Sequence, residues 1–159
     1  MSLTVDPKWL NDPEAGAKLE WLETNGLGGW AGASLTGALT RRYHGMLVTG
    51  DPTDPTVRLS KLDETIIWED NHIELSSNRF KDGVYHPNGH VLLVSFTRDL
   101  FPVFEYHAGP IKIKKTVAAV HGRSVTVVVY EVLEAPGDFE MTWKPFVPHR
   151  TELSLTQCE

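Results

Sequence analysis

Thr40-Arg41-Arg42-Tyr43-His44-Gly45 sets two guanidinium groups, a phenol and an imidazole in adjacent positions. Arginine forks suit carboxylates and clustered oxygen acceptors. An aromatic ring with a polar handle suits the apolar face and hydroxyl rim of a sugar. Laid along a strand, Arg41 and Tyr43 would face one way and Arg42 and His44 the other. Upstream, Gly26, Gly28, Gly29, Gly32 and Gly37 fall within twelve residues. That density is costly unless the backbone needs positive φ or close approach to something. The recognition candidates are therefore Asn25, Gly26, Gly28, Gly29, Trp30, Arg41, Arg42, Tyr43 and His44. A plainer reading stands beside this one: a glycine-rich hairpin whose arginines pair with Glu20 or Glu23.

Other chemistries fit poorly. Gly26-x-Gly28-x-x-Ala31 matches a dinucleotide fingerprint in letters, but charged Glu20–Thr24 is no buried parallel strand and no helix follows. Glycoside hydrolysis needs two carboxyl groups flanking one bond. Asp63-Glu64, and likewise Glu20 and Glu23, point to opposite faces of a regular strand. Glu69-Asp70 falls at a hairpin tip. His86-x3-His90 has helical metal spacing, yet Pro87 and Gly89 make it a turn without a third ligand. No Gly-x-Ser-x-Gly elbow occurs. No catalytic residue, metal site or cofactor is expected of this chain alone.

Bulk properties agree with a binding or structural role. The formal charge is −6, from 15 basic and 21 acidic side chains, which removes the main attraction for nucleic acid. Arg41-Arg42 and Lys112-Lys114-Lys115 are local clusters. The single cysteine, Cys158, excludes an intrachain disulfide. No basic-then-apolar leader opens the sequence, and no apolar run approaches a bilayer's thickness. A cytoplasmic protein without a membrane or nucleic-acid partner is expected.

The elements that must position the Arg-rich segment read as strands. Residues 1–18 form an arm, and residues 19–159 form one domain. Strand-like runs are Leu19–Glu23, Tyr43–Thr49, Leu59–Glu69, His72–Leu75, Val91–Thr97, Val103–His107, Ile111–Val120, Val125–Leu133 and Phe139–Phe146. Asp70-Asn71 reads as a tight hairpin link, Lys81-Asp82-Gly83 as a turn, and His86-Pro87-Asn88-Gly89 as a turn with Pro87 at its first central position. Ile111, Ile113 and Val117 alternate with polar residues, and Lys115 is the one exception. Val125–Tyr130 is continuously apolar, as in a strand buried on both faces. Many short strands at this spacing predict an all-β sandwich or barrel.

Glu20-Trp21-Leu22-x-Thr24-Asn25-Gly26-x-Gly28-Gly29, Gly37 and Thr40-Arg41-Arg42-Tyr43-His44-Gly45-Met46-Leu47-Val48 together resemble the opening motif of bacterial and archaeal-type glycogen debranching enzymes. Leu59-Ser60-Lys61-Leu62-Asp63-Glu64, His86-Pro87-Asn88-Gly89, Phe101-Pro102-Val103-Phe104-Glu105-Tyr106 and the Val125–Tyr130 run are similar to that family too. The likeness spans about Glu20 to Pro148. Trp30 stands where the family shows tyrosine, and Arg150 is followed by Thr151 and Glu152 without the family's aspartate and histidine. The resemblance implies a β-super-sandwich of mostly antiparallel strands, placed before a catalytic (α/α)6 barrel that this sequence does not contain. It implies a partnership with that barrel, in cis or in trans, and with α-glucan such as glycogen or branched maltooligosaccharides. Two alternatives remain: an autonomous carbohydrate-binding module using Trp21, Trp30 or Trp68 as platform, and a purely structural domain that packs against the barrel.

Overall fold

The computed structural model describes residues 3–51, 53–148 and 150–151. Its strands are β1 (Leu3–Thr4), β2 (Glu20–Thr24), β3 (Trp30–Ser34), β4 (Gly45–Asp51), β5 (Asp54–Leu59), β6 (Lys61–Trp68), β7 (Asn71–Glu74), β8 (Ser77–Arg79), β9 (Tyr85–Asn88), β10 (Leu93–Arg98), β11 (Pro102–Ala108), β12 (Ile111–Ala119), β13 (Thr126–Glu134), β14 (Glu140–Phe146) and β15 (Arg150–Thr151). Two short helices, α1 (Pro7–Asn11) and α2 (Pro13–Gly16), precede β2. The all-β expectation holds.

Three sheets enclose the core, with strand orders β1-β10-β11-β12-β13, β14-β6-β7 and β15-β5-β4-β3-β2, while β8 and β9 pair as a separate ribbon. Every pairing is antiparallel. The sheets do not close into a barrel, so the architecture is a sandwich.

Alternation decides which side chains turn inward. Along β11, Pro102, Phe104, Tyr106 and Ala108 are buried and their neighbours are not. On β12, Ile111, Ile113 and Val117 follow the same rule. From the opposite layer, Trp21 of β2 meets Phe104 edge-on at 5.8 Å between ring centres, and Phe104 meets Phe96 at 5.0 Å. Offset and edge-on rings of this kind add to the free energy of apolar burial. The arm contributes as well: β1 pairs with β10, and Leu10 of α1 lies in the core. Asp6 and Asp12 cap the helices by accepting from Lys8 N and from Glu14 N and Ala15 N.

Lys115, the exception in the β12 pattern, does face inward. Its ammonium pairs with the buried Glu64 of β6, and the Tyr130 hydroxyl donates to Glu64 Oε1 at 2.7 Å. A charged pair thus ties β12 to β6 across two sheets inside the core. Burial beside Glu64 pushes the phenols of Tyr130 and Tyr106 up, which keeps both protonated.

Several expectations change. The run at 59–69 breaks at Ser60, and a strand not expected from the sequence, β5, precedes it; Asp54-Pro55 at its start and Arg58 within it disguise it. The β6–β7 link is Glu69-Asp70, one residue earlier than expected; Trp68 pairs with Asn71 and Glu69 takes a φ of 54°. His86–Asn88 is not a turn but the end of β9, and a single 3-10 turn follows over Gly89–Leu92. The largest correction concerns the valine run. β13 is an edge strand, and Val125, Val127 and Val129 are 44%, 43% and 52% exposed. Its apolar letters describe an uncovered face, not a doubly buried one.

Candidate functional site

β2 and β3 form a hairpin whose register pairs Glu20 with Ser34, Leu22 with Gly32 and Thr24 with Trp30. Directly opposite residues share a face, so Glu20, Leu22, Thr24 and Trp30 lie together on the outer side, while Trp21 and Glu23 turn inward. Gly32 leaves room for Leu22 there, since a Cβ at Gly32 would sit 2.9 Å from Leu22 Cδ1.

The Arg41–His44 segment is not a strand. It is a turn closed by His44 N donating to Arg41 O at 3.2 Å, and β4 begins only at Gly45. Strand alternation thus gives no guide to these side chains. Arg41, Tyr43 and His44 all approach one carboxylate, that of Glu20. Arg41 Nε lies 3.2 Å from Glu20 Oε1, and the Tyr43 hydroxyl donates to Glu20 Oε2 at 2.5 Å. That bond to an acceptor anion pushes the Tyr43 phenol up.

His44 is 1% exposed. Its Nδ1 accepts from Thr40 N at 3.1 Å and Arg41 N at 3.4 Å, which leaves the proton of the neutral ring on Nε2. Nε2 stands 3.5 Å from Glu20 Oε1. This is an electrostatic approach rather than a good hydrogen bond, and Nε2 has no hydrogen-bond partner among the described residues. Burial pushes the imidazole below its usual value, and the nearby Glu20 only partly offsets that. The Tyr43 ring meets His44 edge-on at 5.1 Å. Trp30 Nε1 donates to Tyr43 O at 2.8 Å, fixing the indole against the turn. Arg42 is exposed on the same turn.

Asn25 has a different task. It is buried, its Oδ1 accepts from Leu27 N at 2.9 Å and Gly29 N at 3.0 Å, and its Nδ2 donates to Arg123 O at 3.1 Å. Gly122 N donates to Asn25 O at 2.7 Å. Asn25 therefore folds its own loop and ties it to the β12–β13 turn. Gly26 has a φ of 75°, and a Cβ there would collide with the His121 ring. Gly28 also takes a positive φ, of 84°. At Gly29 a Cβ would stand 2.6 Å from Val48 O. This loop lies at the far end of β2 from Glu20, about 13 Å along the strand at ~3.3 Å per residue. The structure thus brings Arg41, Tyr43 and His44 together around Glu20, ties Trp30 to the same turn through Tyr43 O from the loop end of the hairpin, and leaves Asn25, Gly26, Gly28 and Gly29 as the loop's frame.

Glu20 is the residue sequence reasoning left out of the recognition set, although the plainer reading paired the arginines with it or with Glu23. Glu23 is held by Arg98 Nη2 at 2.9 Å instead. His86 is exposed, whereas His90 is buried against Ser77, whose Oγ accepts from His90 N at 2.9 Å and lies 3.1 Å from His90 Nδ1. Among the described residues, no three His, Cys, Asp or Glu side chains are grouped to hold a metal ion, and no helix is long and apolar enough to cross a membrane.

Fold and surface define a class: an antiparallel sandwich bearing a carboxylate-centred polar and aromatic face on an outer hairpin. The family follows from comparison. The model for the glycogen debranching enzyme N-terminal domain matches residues 19–159, and the chain belongs to that family. Neither the curated proteins nor the solved structures returned a match.

Proposed function

We propose that this domain contacts α-glucan through the outer face of the β2–β3 hairpin, beside a catalytic domain that cleaves α-1,6-glucosidic branch points. The observation that carries the reading is the convergence of Arg41, Tyr43 and His44 on Glu20, next to the exposed Leu22 and the half-buried Trp30. Sugar rings present apolar C–H faces edged by hydroxyls. An aromatic and aliphatic strip bordered by fixed planar donors and acceptors is complementary to that pattern. Glu20 and Arg41 hold each other in place, so little ordering is needed on binding. Family membership supports glucan as the ligand and a catalytic domain as the companion. Asn25 and the loop glycines serve as the support of this face, not its contacts.

Calorimetric titration of the 159-residue chain with a branched α-glucan oligosaccharide and its linear counterpart tests the reading. Saturable binding is expected in the millimolar range, with a loss of roughly tenfold or more in Arg41→Ala, the usual cost of deleting a charged hydrogen-bond donor. An Arg42→Ala variant identifies which guanidinium meets sugar. A folded chain that gives no heat with either glucan, and whose Arg41→Ala form leaves kcat/KM of the complete enzyme unchanged, would sink the proposal.

A further inference from the structure

β13 ends its sheet. Val120 N donates to Val125 O at 2.9 Å, and the register continues Ala118 with Val127, Thr116 with Val129 and Lys114 with Glu131. In an antiparallel ladder the hydrogen-bonded pairs alternate. Val125, Val127, Val129 and Glu131 therefore spend their backbone groups on β12. Thr126, Val128 and Tyr130 direct their N–H and C=O outward, along an edge with no neighbouring strand among the described residues. Protein edges are ordinarily blunted by lysine, proline or shortness. This strand is nine residues long and contains neither lysine nor proline. Its solvent-side valines add apolar surface beside the open backbone.

We propose that this edge pairs antiparallel with β13 of a second copy of the chain, in a register centred on Val128. The strand is self-complementary there. Thr126 meets Tyr130, which joins outward-directed backbone groups on both strands. Val127 meets Val129, so the exposed valines of one copy cover those of the other. Val125 stands opposite Glu131 of the second copy, and no like charges face each other. The two sheets then run on as one through a twofold axis normal to the strand, an isologous contact that closes at two copies. This inference is independent of the glucan reading, because β13 contributes nothing to the face around Glu20.

Sedimentation equilibrium over a concentration series, with circular dichroism as the check on folding, decides it. The unaltered chain is expected to dimerise. Val127→Lys with Val129→Lys puts lysine opposite lysine in this register, at side chains exposed in the monomer. That pair should weaken dimerisation by roughly tenfold or more while the fold persists. Val127→Lys with Val129→Glu faces opposite charges and should restore the dimer. A register centred on Val129 instead would set glutamate against glutamate in this last variant. An unaltered chain that stays monomeric throughout overturns the proposal. So does a dimer indifferent to the paired lysines, or a lysine-glutamate variant that does not reassociate. Glucan binding is read separately, so either idea can fail alone.

Discussion

Asn25 and Glu20 are both held by their own chain: Asn25 bonds its loop and the β12–β13 turn, and Glu20 takes Arg41 and Tyr43. An asparagine in a glycine-rich loop looks like a sugar ligand, yet its amide is consumed by Leu27, Gly29 and Arg123. Asn25→Ala leaves buried backbone groups without partners, and chemical denaturation should show a loss of about 2–3 kcal/mol. Unchanged stability would mean that water replaces those bonds. A loss of glucan affinity larger than that of Arg41→Ala would restore Asn25 to the contact surface. The types of the candidate residues and their closeness along the chain were legible in the sequence. Their grouping was not, because the turn at Arg41–His44 breaks the strand alternation from which facing was inferred. The plainer reading of the sequence names Glu20 as a partner of the arginines, and Arg41 does pair with it, but that Tyr43 and His44 approach the same carboxylate was not legible.

At the level of strands, runs of β-forming residues between turn signals located β2, β10, β11, β12 and β14 to within a residue or two, and alternation along β12 flagged Lys115 as the misfit. The misfit proves to be a tie between β12 and β6. Removing one partner strands a buried charge, so Lys115→Met should cost about 3–5 kcal/mol in denaturant unfolding. Adding Glu64→Gln keeps an acceptor for the Tyr130 hydroxyl and should recover most of that loss. If the single change is as mild as the double, the pair is well hydrated and contributes little. β13 was misjudged because a run of valines carries no alternation. An edge strand and a central strand between two neighbours can have the same letters, and only the neighbours distinguish them.

For the whole molecule, acid should be the effective denaturant. Burial holds His44 and His90 below the ordinary imidazole value of 6.5. Each binds its proton more readily unfolded than folded, so stability rises with pH where they titrate. Their contribution is complete above about pH 6.5 and drains away as pH falls toward their folded values. The thermal midpoint should therefore decline below about pH 6.5, before the carboxylates titrate. Replacing His90 by Asn should flatten that decline while leaving the neutral-pH midpoint lower. A midpoint flat down to pH 5 would contradict the neutral, buried state of both rings. The number and spacing of strands gave an all-β sandwich or barrel in advance, and the family resemblance implied the sandwich. The division into three sheets was not, since it depends on β5 and β6 parting at Ser60.

The bonds from Asn25 to the β12–β13 turn join segments about a hundred residues apart in sequence. They close a long chain loop at a single side chain, so much of the configurational freedom that a glycine-rich loop would retain is removed as the domain folds. The loop from Asn25 to Gly29 is then preorganised. A glucan resting on the neighbouring hairpin meets a support that does not have to order itself, and the slow amide exchange of Gly29 and Gly122 should follow global unfolding instead of local fraying.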